Sequence, residues 1–161
     1  MRMEREFTLY TDGACAQTIG GFAAVLVHPD GERHVSLSDG PYGDTTNNQM
    51  EMMGVIAGLR FVHKRMGAQR VLVISDSKYV INGITEWIHN WKRNGWITAG
   101  GKLVKNASLW EKMEKSRSLH EFTRFQWVKG HAGNRFNEVA DKLAVTRRES
   151  NDRNKSLGVT A

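Results

Sequence analysis

Along the first third of the chain, apolar and polar residues alternate or run together in short stretches, the pattern of strands. Phe7-Thr8-Leu9-Tyr10-Thr11 alternates, and Asp12-Gly13 is expected to end it. Residues 22 to 28 form a nearly continuous apolar run, as expected of a strand covered on both faces. Pro29-Asp30-Gly31 is a turn, residues 33 to 37 return as a third strand, and residues 40 to 44 read as loop. The period then lengthens. Met52, Val55, Ile56, Leu59, Val62 and Met66 share one helical face, and Gly67 is placed to end it. Thr46-Asn47-Asn48-Gln49 has capping-box spacing at the start of that helix. Val71-Leu72-Val73-Ile74 is a short central strand ending at Ser75-Asp76. Residues 77 to 91 read as a helix broken near Gly83, 106 to 118 as a helix, 123 to 128 as a last strand and 134 to 147 as a last helix. Three early strands, a helix, and then alternation of strand and helix predict a mixed sheet with helices on its faces. Residues from about 149 onward are polar and unpatterned, and read as a loose tail.

Composition narrows the partners. The 161 residues suit one domain, and the excess of 23 Lys and Arg over 17 Asp and Glu gives a net charge of +6. That surplus suits an anionic partner without naming it. The single cysteine, Cys15, permits no intrachain disulfide and fits a reducing compartment. The chain has no long apolar run, and its amino terminus is charged. A cytoplasmic protein off the membrane, and a monomer, is expected.

The candidate chemistry is carboxylate chemistry. Asp12 and Asp76 each follow directly on an apolar strand. If those strands are adjacent and parallel, both side chains emerge at the carboxyl end of the sheet, where open α/β sheets bind ligands. Two acids so close repel one another unless a cation lies between them. Oxygen ligands without a His/Cys cluster suit Mg²⁺ or Mn²⁺ rather than zinc. Glu51, in the first turns of the long helix, stands at the edge of its buried face, and Asp141 lies close to the inward face of the last helix. His131 sits between glycines in Val128-Lys129-Gly130-His131-Ala132-Gly133, directly after the last strand. Each residue also has a plain reading: a turn aspartate, an acid favoured by a helix dipole, an inert loop histidine.

Five segments in order decide between these readings. Tyr10-Thr11-Asp12-Gly13, Thr45-Thr46-Asn47-Asn48-Gln49-Met50-Glu51, Ser75-Asp76-Ser77, the Lys129-Gly130-His131 loop and Asn137-Glu138-Val139-Ala140-Asp141-Lys142-Leu143-Ala144 resemble the type 1 ribonucleases H. Gly83-Ile84-Thr85-Glu86-Trp87-Ile88-His89-Asn90-Trp91-Lys92-Arg93 resembles the basic protrusion of the bacterial form. The resemblance implies the ribonuclease H-like α/β fold, a five-stranded mixed sheet flanked by helices on both faces. It implies a catalytic domain over residues 1–148 and a flexible tail over 149–161. It also implies endonucleolytic hydrolysis of the RNA strand of RNA–DNA hybrids, leaving 5′-phosphate and 3′-hydroxyl ends. Asp12, Glu51, Asp76 and Asp141 would hold two Mg²⁺ ions, with Mn²⁺ as a substitute, and His131 would assist turnover.

For the substrate, the resemblance implies that Cys15, Asn47, Asn48 and Glu51 read the ribose. Lys78 stands where bacterial relatives often have glutamine, and a charge there would bind phosphate. Trp87 and Trp91 would line the DNA channel, with Lys92, Arg93 and Lys105 neutralising phosphates, while Thr46 and Asn106 grip a DNA phosphate. Trp96 and Trp110 are expected to anchor this segment instead. The chain departs from the family at Ala14-Cys15-Ala16-Gln17-Thr18-Ile19-Gly20-Gly21, where a Gly-Asn-Pro-Gly type stretch is usual. That loop is shorter here, so substrate affinity is expected to differ while activity survives. Two rival readings are a nuclease-dead hybrid-binding module and a DNA-cutting relative on the same fold. The full set of acids argues against the first. The protrusion and the Lys-Gly-His-Ala-Gly loop argue against the second.

Overall fold

The computed structural model describes residues 5–158. Five strands form one sheet in the order β3-β2-β1-β4-β5. They are β1 (Glu6–Ala16), β2 (Ile19–Val27), β3 (His34–Tyr42), β4 (Arg70–Ser75) and β5 (Phe122–Trp127). The first three are antiparallel, and β4 and β5 run parallel to β1. The mixed sheet and its covering helices are as the pattern predicts.

Helix α1 (Asn47–Met66) covers one face, packing Met52, Val55, Ile56, Leu59 and Val62 on Leu9, Ala24, Leu26, Val71 and Val73. Helix α4 (Ala107–Ser118) adds the fully buried Trp110 and Met113 to the same core. Helix α5 (Arg135–Arg148) lies on the opposite face, where Phe136, Ala140 and Ala144 meet alternate residues of β1 and β2. No helix of the described residues is long and apolar enough to cross a membrane.

Several boundaries differ from the pattern, each for a physical reason. Asp12-Gly13 does not end β1. Parallel pairing with β4 stops at Tyr10 opposite Ile74, but antiparallel pairing with β2 continues to Ala16 opposite Ile19. The turn is only Gln17-Thr18, both with positive φ, as a two-residue hairpin of the type I′ class requires. Residues 40 to 44 likewise belong partly to β3, which runs to Tyr42.

The broken helix after β4 is α2 (Lys78–Asn82), a π-helical stretch (Gly83–Trp87) and α3 (Ile88–Arg93). Gly83 is there because α4 crowds it: a Cβ would come within 2.0 Å of the Trp110 ring. The described part of the tail is placed against the sheet. The Lys155 main chain donates to Pro41 O and accepts from Gly43 N, each at 2.8 Å, and its ammonium pairs with Asp39. Leu157 packs on Phe22, Tyr42 and Met50. A polar tail finds this site because β3 is an edge strand with unpaired main-chain groups to offer. Helix α5 ends at Arg148, and the described residues after it form no further helix.

Candidate active site

Parallel pairing of β1 and β4 delivers Asp12 and Asp76 to the same end of the sheet. Asp12 lies two residues past the last parallel pair, and Asp76 one residue past β4. The amino-terminal turns of α1 then close over β1. Gly13 makes this possible, since a Cβ there would meet Met50 C and Glu51 N at 2.4 Å. Through this close approach Asp12, Glu51 and Asp76 each bring a carboxylate oxygen within 4.8 Å of the others.

The three acids pay for proximity with their protonation. Burial holds Asp12 up to about 7, and the charges of Asp76 and Asp141 add to the rise. Glu51 is pushed well above the usual carboxylate range by burial and by Asp12. Asp76 is raised by burial and by Asp141. Asp12 accepts a 2.8 Å bond from Gly13 N, but Glu51 Oε2 is buried without any hydrogen-bond partner. An orphaned carboxylate oxygen among acids is costly in a folded protein. The donor set is all oxygen and hard, so the residues fit a divalent cation such as Mg²⁺ or Mn²⁺.

Asp141 is half-buried on α5, near enough to raise Asp76 and Asp12 yet outside the group of three. His131 is exposed with φ 55°, and as a positive charge it would favour ionised Asp76. The glycine before it has a second use that its sequence context hides. A Cβ on Gly130 would come within 2.8 Å of Asp76 Oδ2, so glycine lets the loop lie against that carboxylate.

Around this centre the proposed substrate residues divide into open and committed ones. Cys15 is a half-buried free thiol, its Sγ 3.6 Å from Thr45 O. Asn47 is exposed, Asn48 half-buried, and Thr46 caps α1 by accepting from Gln49 N at 3.2 Å. The reciprocal half of the capping box is missing because Gln49 is turned inward. Its Oε1 accepts from Thr45 Oγ1 at 2.9 Å, and its Nε2 donates to Asn106 Oδ1 at 3.1 Å. Asn106 in turn donates to the Tyr79 hydroxyl at 3.1 Å and is buried.

In the protrusion Trp87 is exposed and Trp91 half-buried; beyond it Trp96 is half-buried and Trp110 of α4 fully buried, the rings of Trp91 and Trp110 being 5.4 Å apart. Lys92 pairs with Glu114 at 2.7 Å, Arg93 bonds Asn90, and Lys105 is exposed. Trp127, which its position on a strand did not single out, donates its indole N–H to Asp76 O at 3.0 Å.

The RNase H family model matches residues 4–149. The chain belongs to the ribonuclease H family. It is 44% identical over 150 residues to ribonuclease HI of Vibrio parahaemolyticus, covering 92% of this chain and 93% of that protein. It is 47% identical over 139 residues to ribonuclease H of Bradyrhizobium diazoefficiens, covering 85% and 86%. Among solved structures it is similar to LC9-RNase H1, described as a type 1 RNase H with the type 2 active-site motif. The TM-score is 0.73 at 30% identity, over 91% of this chain and 73% of that one. RNase H1 of Halobacterium salinarum shares the fold, with a TM-score of 0.66 at 24% identity over 88% and 96%. The family is of type 1 and bacterial in form, and its activity is endonucleolytic hydrolysis of RNA in RNA–DNA hybrids. Members are divalent-metal dependent, in keeping with the carboxylate cluster.

Proposed function

We propose that Asp12, Glu51, Asp76 and Asp141 are the metal-binding and catalytic carboxylates of this ribonuclease H and that together they hold two Mg²⁺ ions. The observation that carries this is three acids within 4.8 Å, one with an unpaired buried oxygen. Held by these four carboxylates, such ions would supply Lewis acidity to the attacking water and to the departing 3′ oxygen, in keeping with 5′-phosphate and 3′-hydroxyl ends. The protein's part is to fix these oxygens on rigid elements: a strand for Asp12, helices for Glu51 and Asp141, a strand end for Asp76. Burial that raises the proton affinity of Asp12, Glu51 and Asp76 in the free protein also excludes water that would compete for the ligands. His131, exposed on the loop against Asp76, assists proton transfer or product release.

Cys15, Asn47 and Asn48 border this centre from the hairpin and the start of α1, and read the ribose 2′-hydroxyl that distinguishes RNA from DNA. Lys78 meets RNA phosphate. Trp87, Trp91, Lys92, Arg93 and Lys105 track the DNA strand, and Thr46 and Asn106 supply a DNA phosphate contact. Glu114 already neutralises part of the Lys92 charge, so Arg93 and Lys105 carry more of that attraction. The protein acts as a monomer in the cytoplasm.

The test is incubation with labelled hybrid, duplex RNA and duplex DNA, each with Mg²⁺ and with EDTA. Cleavage confined to the RNA of the hybrid and abolished by EDTA is expected. Cleavage of duplex DNA, or cleavage that persists in EDTA, contradicts the reading.

A further inference from the structure

The edge strand β3 is not bare at its end. After α5 the chain returns to it, and Lys155 forms a parallel bridge with Tyr42. The Lys155 N–H donates to Pro41 O and its carbonyl accepts from Gly43 N, each at 2.8 Å. Its ammonium pairs with Asp39, whose carboxylate also accepts from the Tyr42 hydroxyl at 2.6 Å. Leu157 then lies against Phe22, Tyr42 and Met50. Residues 154 to 157 are thus a strap across the point where β3 gives way to the connection with α1. That connection, residues 43 to 46, is irregular backbone, and Asp44 in it takes a φ of 50°. Its far side is held by the β1–β2 hairpin: Thr45 N donates to Thr18 O at 3.0 Å, and Thr45 O accepts from Cys15 Sγ at 3.6 Å. Its near side is held by the strap, through Gly43. Strap and hairpin turn share a cleft of about 420 Å³ lined by Gln17, Thr18, Asp44, Asn154 and Ser156.

We propose that Lys155 and Leu157 are positioning residues for the hybrid: the strap fixes Gly43 and through it keeps residues 45–48 in the arrangement that fits the substrate. The inference rests on the reading of Cys15, Asn47 and Asn48 as substrate-facing. General stability is the other role open to such a strap, and the contacts are too slight for it. The main core, which includes Leu9, Ile56, Leu59, Val73 and Trp110, contains no residue of the strap. The Lys155 and Asp39 side chains are 49% and 36% exposed, and ion pairs so open to water contribute little. Leu157 is only half-buried. A strap this weak does not carry the fold, yet it supplies the acceptor for the Gly43 N–H. The carboxylate centre is held separately. Helix α1 rests on β1 at Gly13, a contact that involves no strap residue, so Glu51 keeps its place when the strap is released. Release is therefore felt in binding rather than in chemistry. Apparent affinity falls in proportion to the fraction of time that the connection is correctly placed.

The experiment compares full-chain variants by steady-state cleavage of hybrid with saturating Mg²⁺ and by hydrogen exchange of the Gly43 N–H. The double variant Asp39→Asn/Leu157→Ala is expected to speed Gly43 exchange by about tenfold or more. It is expected to raise KM for hybrid about tenfold and to leave kcat unchanged. Asp39→Asn alone is expected to raise KM by a smaller factor. The direction is diagnostic, because this substitution adds net positive charge, which by attraction alone would lower KM. Lys155→Arg, which keeps the ion pair and the main-chain bonds, is expected to behave as the wild type. If the double variant fails to fold, Asp39→Asn decides by the direction of its KM, and an unchanged or lower value overturns the proposal. Faster Gly43 exchange in the double variant with an unchanged KM overturns the positioning role, and so does a loss confined to kcat. Exchange of the Gly43 N–H as fast in the wild type as in the double variant overturns the strap itself. Failure of the wild type to cut hybrid would overturn the parent assignment instead, so the two failures are distinct.

Discussion

Two buried polar clusters meet at the start of α1, two residues apart on the helix, and they are built on opposite principles. Around Gln49, Thr45, Asn106 and Tyr79 form a chain of hydrogen bonds that ties α1 to α4 and α2. Around Glu51, acids face acids, and one buried oxygen has no partner. The first cluster is satisfied and neutral, so it fixes how the helices dock. The second is incomplete without a cation, so it is the part of the fold that waits for a ligand. The difference is the most direct physical sign of which cluster does chemistry.

Substitutions should separate the two sharply. Asp76→Asn and Glu51→Gln are expected to reduce hybrid cleavage by about a thousand-fold or more. In EDTA their melting temperatures should equal or exceed that of the wild type, because repulsion leaves with the charge. A single-turnover assay beside a melting curve checks both halves. Gln49→Ala should do the reverse. It strands Asn106 and Thr45, costs about 2–3 kcal/mol of stability in urea unfolding and leaves the metal requirement unchanged.

Acidity gives a smaller contrast. Asp12 binds its proton more tightly folded, at about 7, than its ordinary 3.8, and Glu51 and Asp76 are shifted the same way. Their protonation therefore favours the metal-free fold below about pH 4, and that contribution is lost as pH rises through about 7. Measured as wild type minus Asp12→Asn in EDTA, the melting temperature difference should fall by about 5 °C across that window, and divalent cation should restore it. The Gln49 network contains no carboxylate and should add nothing to this difference. Smallest is Thr46→Ala, which removes the cap that both clusters share. It should cost about 1 kcal/mol whether or not metal is present.

Much of this was legible in the residues. The 3.6 period of α1, the short apolar β4 and the acids after two strands placed the sheet, its principal helix and the charge centre. What escaped was information that only tertiary contact creates. Asp12-Gly13 reads locally as a strand end, yet Gly13 is there so that α1 can approach, and the strand continues beneath it. Gly130 reads as an ordinary loop glycine beside His131, yet it makes room for Asp76. Gln49 reads as a capping partner, yet burial recruits it to Asn106. Lys155, in a tail with no pattern, finds the open edge of β3. Trp127 ends an alternating strand and gives no local sign that its N–H reaches Asp76.

The central claim is that buried negative charge from distant parts of the chain is gathered to hold divalent cations. Calorimetric titration of the metal-free protein with Mg²⁺ and Mn²⁺, at a pH above about 7 and beside Asp12→Asn, tests it most directly. The account predicts saturable binding by the wild type that the variant loses. Equal binding by both proteins, or none by the wild type, would contradict it.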